Sequence, residues 1–325
     1  MGLGAISQVH AQATVPDYVL KYAPLLYLHS EDAYMPSSIE AQLANSVPQV
    51  DYKAVQGAPS PLALNNLDQL NALGGSELFL TSKEGIRELP DWFKGVRPDG
   101  NGKTGDAVCS SIVVRDHGDG TVDAFYFYFQ AYNQGNTVLG LEFGHHVGDW
   151  EHNMIRFVNG APQAVWYSQH ATGQAFTYKA TEKQGDRPIG YVANGTHAVY
   201  ATPGTHDHTI PNFNLPAGFL EDETDRGILW DPLFNAYHFS YDTATGKFTP
   251  YDSNTPVQWL YFEGRWGDKQ LPDNAEGQVN IFGQRKYTSG PTGPKFKSLD
   301  REKVCPPSVD LCVIRPFLTV KRAEV

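Results

Sequence analysis

Residues 144–152 read GHHVGDWEH, which puts three histidines, an aspartate and a glutamate into nine positions. In a chain that is only 19% charged, such crowding suggests a metal site, an acid/base pair or a polar strand edge beside a tryptophan. If 149–157 is a strand, Asp149, Glu151 and Asn153 share one face while Trp150, His152 and Met154 share the other. Carboxylates two residues apart on a strand stand roughly 6–7 Å apart, close enough for one cation to draw them together. A turn at Gly148, where the missing Cβ relieves the backbone, would swing His145 or His146 over that face. Two carboxylates and an imidazole suit Mg²⁺, Mn²⁺ or Ca²⁺ better than structural zinc. The plainer alternative is a polar strand that begins on a buried Trp150.

Further polar clusters could complete the site. Asn159-Gly160 is a hairpin signal, and pairing about it sets opposite each other positions whose numbers sum to roughly 319. That brings His170 close to Asp149. The stretch THAVYATPGTHDH (196–208) supplies His197, His206, Asp207 and His208, whereas His238 and Asp231 are isolated. In an acid/base reading, Asp149 and Glu151 form the pair or hold a metal, and His170 or His197 carries the proton. Asp207 is then a candidate to fix the histidine tautomer.

Familiar catalytic signatures fail. GVRPDGNGKTGD (95–106) contains Gly-Lys-Thr, but Arg97 stands where a P-loop needs glycine. The same stretch lacks the glutamate that closes an EF-hand. No GxSxG elbow, HExxH helix or GxGxxG fingerprint occurs.

The elements that must carry these residues read as strands. SIVVRDHGDGTVDAFYFYF (111–129) is two β-rich runs about Asp119-Gly120, and 151–170 repeats the scheme about Asn159-Gly160. Residues 235–252 form a third pair about a Thr-Gly turn, and 191–201 is another strand candidate. Short helices are expected at 38–45, 59–73 and 216–226, with Ser38 or Ser60 as N-caps. Between 202 and 231 the chain turns irregular, as functional loops do. With 17 Tyr, 17 Phe, 31 Gly and 22 Pro, the balance favours strands and turns. The fold class expected is mainly β: a single antiparallel β-sandwich domain over 14–325 with long loops and a few short helices, after a tail at 1–13.

Charge and cysteines narrow the setting. Twenty-five basic against 36 acidic residues leave −11, and no basic run tracks phosphates, which disfavours a nucleic-acid partner. No apolar stretch approaches the roughly 18 residues of a transmembrane segment. Cys305 and Cys312 could close a small loop in an oxidising compartment, leaving Cys109 odd; unlinked core cysteines are the alternative. Ala11 and Ala13 are spaced like a signal-peptidase site, so 1–13 is a signal-peptide remnant or a loose tail. Asn194-Gly195-Thr196 is the one N-glycosylation sequon.

Three landmarks, KYAPLLYLHSEDAYMPSSIEAQL (21–43), HHVGDWEH (145–152) and THAVYATPG (196–204), together resemble the fungal and plant family named for vacuolar protein sorting protein sixty-two. They run in that family's order from Tyr22 to Gly204. A more distant similarity links HHVGDWE (145–151) to the GHRHDWE heptapeptide of the necrosis- and ethylene-inducing-peptide-like proteins, secreted cytolysins built on a β-sandwich. FYFYF (125–129) and SQHATG (168–173) have counterparts there in similar places. That resemblance implies metal ligands at His146, Asp149 and Glu151, a divalent cation and a membrane-glycolipid partner. This chain departs from the heptapeptide at His145 and Gly148, and only Asn133 or Gln130 stands where an upstream acidic ligand is expected.

Three readings follow. The first is a secreted or vacuolar β-sandwich whose cation, at His146, Asp149 and Glu151, helps bind a glycan, a glycolipid, a small-molecule ligand or a protein; Trp166, Trp230, Trp259 and Trp266 are candidate sugar platforms. The second is a hydrolase or lyase acting on a carbohydrate or secondary metabolite through Asp149, Glu151, His170 and His197. The third is a vacuolar protein sorting factor, as the family name suggests.

Overall fold

The structure, a computed structural model, describes residues 14–207, 220–281 and 283–318. The tail expected at 1–13 and His208 lie outside the described residues. The protein is mainly β, and its centre is an eight-stranded sheet. Its strand order is Lys247–Pro250, Ala236–Asp242, Ser110–Asp116, Thr121–Asn133, His146–Val158, Ala161–Gln169, Thr172–Thr177 and Ile314–Arg315. The two longest strands, an aromatic strand (Thr121–Asn133) and the motif strand (His146–Val158), lie side by side in the middle.

Both faces of this sheet are buried. Phe125, Phe127, Phe129, Trp150, Met154 and Trp166 pack on one side with Ile39, Leu43, Trp259 and Trp266. On the other side Tyr126, Tyr128, Ile155, Phe157 and Tyr167 meet Leu26, Val192 and Trp230. Those three belong to a second sheet that contains Leu25–Leu28, Arg187–Val192 and Ile228–Trp230. A strand covered on both faces needs apolar side chains at every position, which accounts for the unbroken run FYFYF.

Several local expectations hold. Asn159 and Gly160 have φ of 50° and 75°, the two left-handed residues of a type I′ hairpin turn. Ser38 caps the helix Ile39–Ala44, its hydroxyl accepting from the Ala41 N–H at 3.3 Å. Three pairings of the sheets are parallel, however: Ala236–Asp242 with Ser110–Asp116, Leu25–Leu28 with Arg187–Val192, and Thr172–Thr177 with Ile314–Arg315. Each joins segments distant in sequence, where no hairpin turn sets direction.

Two helix expectations are corrected. Within 59–73 only a 3₁₀ turn at Leu67–Leu70 and the first residues of a helix at Asn71–Gly74 form. Within 216–226 the described part holds the strand Glu221–Thr224, paired with Gly204–Asp207. The tryptophans proposed as sugar platforms are core instead: Trp166, Trp230, Trp259 and Trp266 are all buried at 1% exposure or less. Cys305 and Cys312 are joined as a disulfide, and Cys109 is a buried thiol pushed up to about 12 by desolvation.

Candidate functional site

The motif strand begins at His146 and keeps one register with the aromatic strand on both sides of Gly148, where the pairing is interrupted. Gly148 has φ of 70° inside that strand. A Cβ there would stand 1.9 Å from the Trp266 carbonyl oxygen, so the glycine permits close backbone approach. The expected turn is therefore replaced by a left-handed kink within the strand, and His146 just before it lies near enough to Asp149 and His197 to feel their charges. The alternation of faces holds from Asp149 onward: Trp150 stacks on Trp259 and meets Phe129 at a tilt and Trp266 edge-on, while Asn153 on the opposite face bonds Tyr128 and the Trp166 carbonyl.

Asp149 and Glu151 are both buried at 5% exposure. Across the sheet, Gln130 stands opposite Asp149 and Tyr128 opposite Glu151. Glu151 Oε2 and Gln130 Oε1 are buried without a hydrogen-bond partner among the described residues. Burial and the adjacent Asp149 charge push the Glu151 carboxyl up to about 7. Burial works on Asp149 in the same direction, yet the hydrogen bond from His197 and the charges of His146 and His197 win and hold it below the ordinary range. Of the two candidates for an upstream ligand, Gln130 faces the acids. Asn133 lies opposite His146 and donates to the Gly144 carbonyl at 3.0 Å.

Each histidine has a defined setting. His146 Nδ1 donates to the Gly148 carbonyl at 2.7 Å, and burial lowers its pKa. A neutral ring with its proton fixed on Nδ1 leaves the Nε2 lone pair for a ligand. His145 is buried between Tyr132 and Tyr287 and accepts the Gly135 N–H at Nδ1. His197 Nδ1 donates to Asp149 Oδ2 at 3.2 Å, and its Nε2 faces the Tyr34 carbonyl at 3.2 Å and Asp32 Oδ2 at 3.5 Å. Burial would lower it, but these acceptors leave it raised.

The Asn-Gly hairpin brings His170 back as expected, with one adjustment. Paired numbers sum to 319 at the turn and to 320 beyond an irregularity between Pro162 and Ala164. His170 Nε2 then donates to Asp222 Oδ2 at 2.7 Å, with its side chain one-third exposed. Asp222 also accepts from the hydroxyls of Thr196 and Tyr200, each at 2.7 Å, and from Asn136 at 3.3 Å. The orienting carboxylate is therefore Asp222, in place of the expected Asp207, which pairs with Glu221 along a hairpin edge. His170 and His197 both sit at positive φ, 53° and 56°, a conformation that histidine tolerates better than most residues and that clusters at functional positions.

Sequence reasoning missed Asp222 and Asp32, whereas it had named Gln130 with Asn133 as a candidate for the upstream position. Asp222 lies in EDET, where burial alternates along the strand but no apolar residue displays the alternation. Among the described residues, no group of three His, Cys, Asp or Glu side chains is gathered as a ready-made ion site. Two surface hollows, of about 310 and 290 Å³, lie elsewhere: one at Arg87, Glu88, Glu276 and Gly277, the other around Tyr18, Tyr241 and Tyr251. His206 stacks on Tyr200 at 3.8 Å, and His238 and Asp231 lie away from the cluster, Asp231 paired with Arg187.

Fold and site together define a mainly β protein whose central sheet carries a buried carboxylate–histidine cluster. Residues 136–288 match the family model described as vacuolar protein sorting-associated protein 62. In Saccharomyces cerevisiae, a protein provisionally designated vacuolar protein sorting-associated protein TDA6 is 38% identical over 331 residues, covering 91% of this chain and 70% of the relative. Vacuolar protein sorting-associated protein 62 of the same yeast is 36% identical over 327 residues, covering 90% and 68%. The chain belongs to the vacuolar protein sorting-associated protein 62 family.

Necrosis and ethylene inducing protein 2, from the causal agent of cocoa's Witches Broom disease, is 12% identical over 59% of this chain and 70% of its own, with a TM-score of 0.28. A non-toxic protein designated HaNLP3 is 11% identical over 72% and 80%, with a TM-score of 0.29. Likeness at this level transfers no residue role.

Proposed function

We propose that this protein binds an oxygen-rich ligand, such as a glycan or glycolipid head group, through a divalent cation held at Asp149, Glu151 and the Nε2 of His146, with Gln130 as a neutral fourth contact. The carrying observation is the pair of unpartnered buried oxygens, Glu151 Oε2 and Gln130 Oε1, beside Asp149 on one sheet face. A buried acceptor without a donor costs about 1–3 kcal/mol, and a hard cation removes that cost while offsetting two neighbouring carboxylates. His146 fits the same assignment, since an imidazole that donates its other N–H to a backbone carbonyl is oriented as a ligand. His197 acts as a positioning residue that fixes Asp149 from behind. Vacuolar or secretory residence is part of this proposal, supported by the family and by the Cys305–Cys312 disulfide.

Metal analysis of protein purified without chelator tests it. A bound ion and a melting temperature that rises with added Ca²⁺, Mg²⁺ or Mn²⁺ are expected, reaching about 2.7 kcal/mol of stabilisation at a hundredfold excess over Kd. Asp149→Asn with Glu151→Gln should fold and lose the response. A metal-free wild type that is indifferent to chelator and to added ion overturns the assignment.

A second reading, acid/base chemistry, is favoured by the His170–Asp222 contact, a partly exposed imidazole on a fully buried carboxylate. Turnover of a carbohydrate substrate that His170→Gln abolishes without weakening ion binding would select it.

A further inference from the structure

We propose that Asn194 is an N-glycosylation site modified before this region folds. The sequon is Asn194-Gly195-Thr196, the only one in the chain. Three structural facts turn a sequence match into a site. Asn194 is exposed while Ala193 and Gly195 on either side are buried, so the acceptor side chain points away from the protein. Its backbone N–H is committed to the Glu223 carbonyl at 2.9 Å, which holds the turn in place. The joined Cys305 and Cys312 belong with an oxidising compartment, where the transferase works. This inference uses none of the cation ligands, but it rests on the secretory residence proposed above.

Thr196 fixes the timing. A transferase reads the hydroxyl at the second position after asparagine together with the intervening backbone. In the folded protein Thr196 is 4% exposed and its hydroxyl donates to Asp222. Gly195 N–H donates to Asp32, and the Gly195 carbonyl accepts from Gln134. Every group the enzyme must engage, other than the amide of Asn194 itself, is thus occupied in the fold. Transfer therefore precedes closure of this turn. In the step, the carboxamide nitrogen of Asn194 bonds to C1 of the reducing-end sugar of a lipid-linked oligosaccharide. The bond from C1 to the diphosphate oxygen breaks, lipid diphosphate departs with the electron pair, and the amide loses one proton. The glycan would be rooted where Asn194 meets Glu223 and Gly195 meets Gln134, on the same rim as Asp222.

The full chain, recovered from the secretory pathway of a eukaryotic host, should shift to faster migration on enzymatic removal of N-glycans, with Asn194 converted to aspartate in the peptide map. Asn194→Gln should already migrate at the deglycosylated position, and Thr196→Ser should keep the glycan. Asn194 found unmodified in wild-type protein from that pathway overturns the proposal, and needs no variant to fold. Unglycosylated protein folded in bacteria, offered to purified transferase with lipid-linked oligosaccharide, should remain unmodified, while the same protein denatured should accept the glycan. Efficient modification of the folded form overturns the timing.

Discussion

At the scale of single residues, the site is organised by which partner each titrating group meets. His170 illustrates the balance. Burial alone would lower its pKa, but the hydrogen bond to Asp222, with the charges of Asp222, Glu151 and Asp149, leaves it raised. A histidine whose folded pKa lies above its unfolded value adds stability that is complete below about 6.5 and disappears as pH rises through the folded value. Wild type should therefore lose stability across that window, from just below 6.5 upward. His170→Gln should be flatter there and less stable on the acid side. Thermal melts of both proteins between pH 5 and 8 check this; equal slopes would show that Asp222 does not hold the ring. The residue types of this cluster were readable from the sequence because they are crowded into one motif. Its partners were not, because Asp222 and Asp32 reach the motif only through tertiary contacts from polar stretches that have no hydrophobic pattern to place them.

At the scale of elements, period-2 alternation and the Asn-Gly turn were enough to assign the faces of the motif strand and to bring His170 back toward it. Parallel pairings were hidden, since their direction is set by long connections. Gly148 was legible as special but misjudged in kind: it makes room for the Trp266 carbonyl where a turn was expected. Gly148→Ala forces a Cβ into that carbonyl at a positive φ, and a loss of at least about 3 kcal/mol is expected, measurable by chemical denaturation. The hairpin between the two central strands departs from local preference in another way. Leu139 and Gly140, at φ of 50° and 80°, occupy a type I′ turn that favours Asn-Gly, and Leu139 is 86% exposed. Leu139→Asn relieves a left-handed leucine and removes exposed apolar surface. Its expected gain is about 1 kcal/mol, seen as a higher melting temperature. Among the described residues Leu139 joins no core cluster, so a fall in stability would reveal an interaction of the leucine tip.

At the scale of the whole molecule, the central sheet is closed on the Trp150 side by a C-terminal segment clamped through arginines. Arg301, 1% exposed, donates to His152 Nε2 and to the carbonyls of Lys297, Ser298 and Val304. Arg156 pairs with Asp123 through two bonds of 2.7 Å and reaches the carbonyls of Arg301 and Glu302. Burial of Arg301 pulls its pKa down to about 9, so among the described residues the cation is held by carbonyls and a neutral histidine with no carboxylate directly against it. Such a clamp tolerates little slack in the chain that carries it. The Cys305–Cys312 disulfide begins one residue after Val304, and a loop of this length stabilises by about 2.5 kcal/mol in the chain-entropy account. Replacing both cysteines with serine should cost about that much by denaturant titration. It should also raise hydrogen exchange over 297–304 before it does so in the central strands, because the arginine clamp opens with its own segment. Exchange that rises first around Asp149 would instead place the acid–histidine cluster under the control of this clasp, and would couple the redox state of the C-terminal loop to the site.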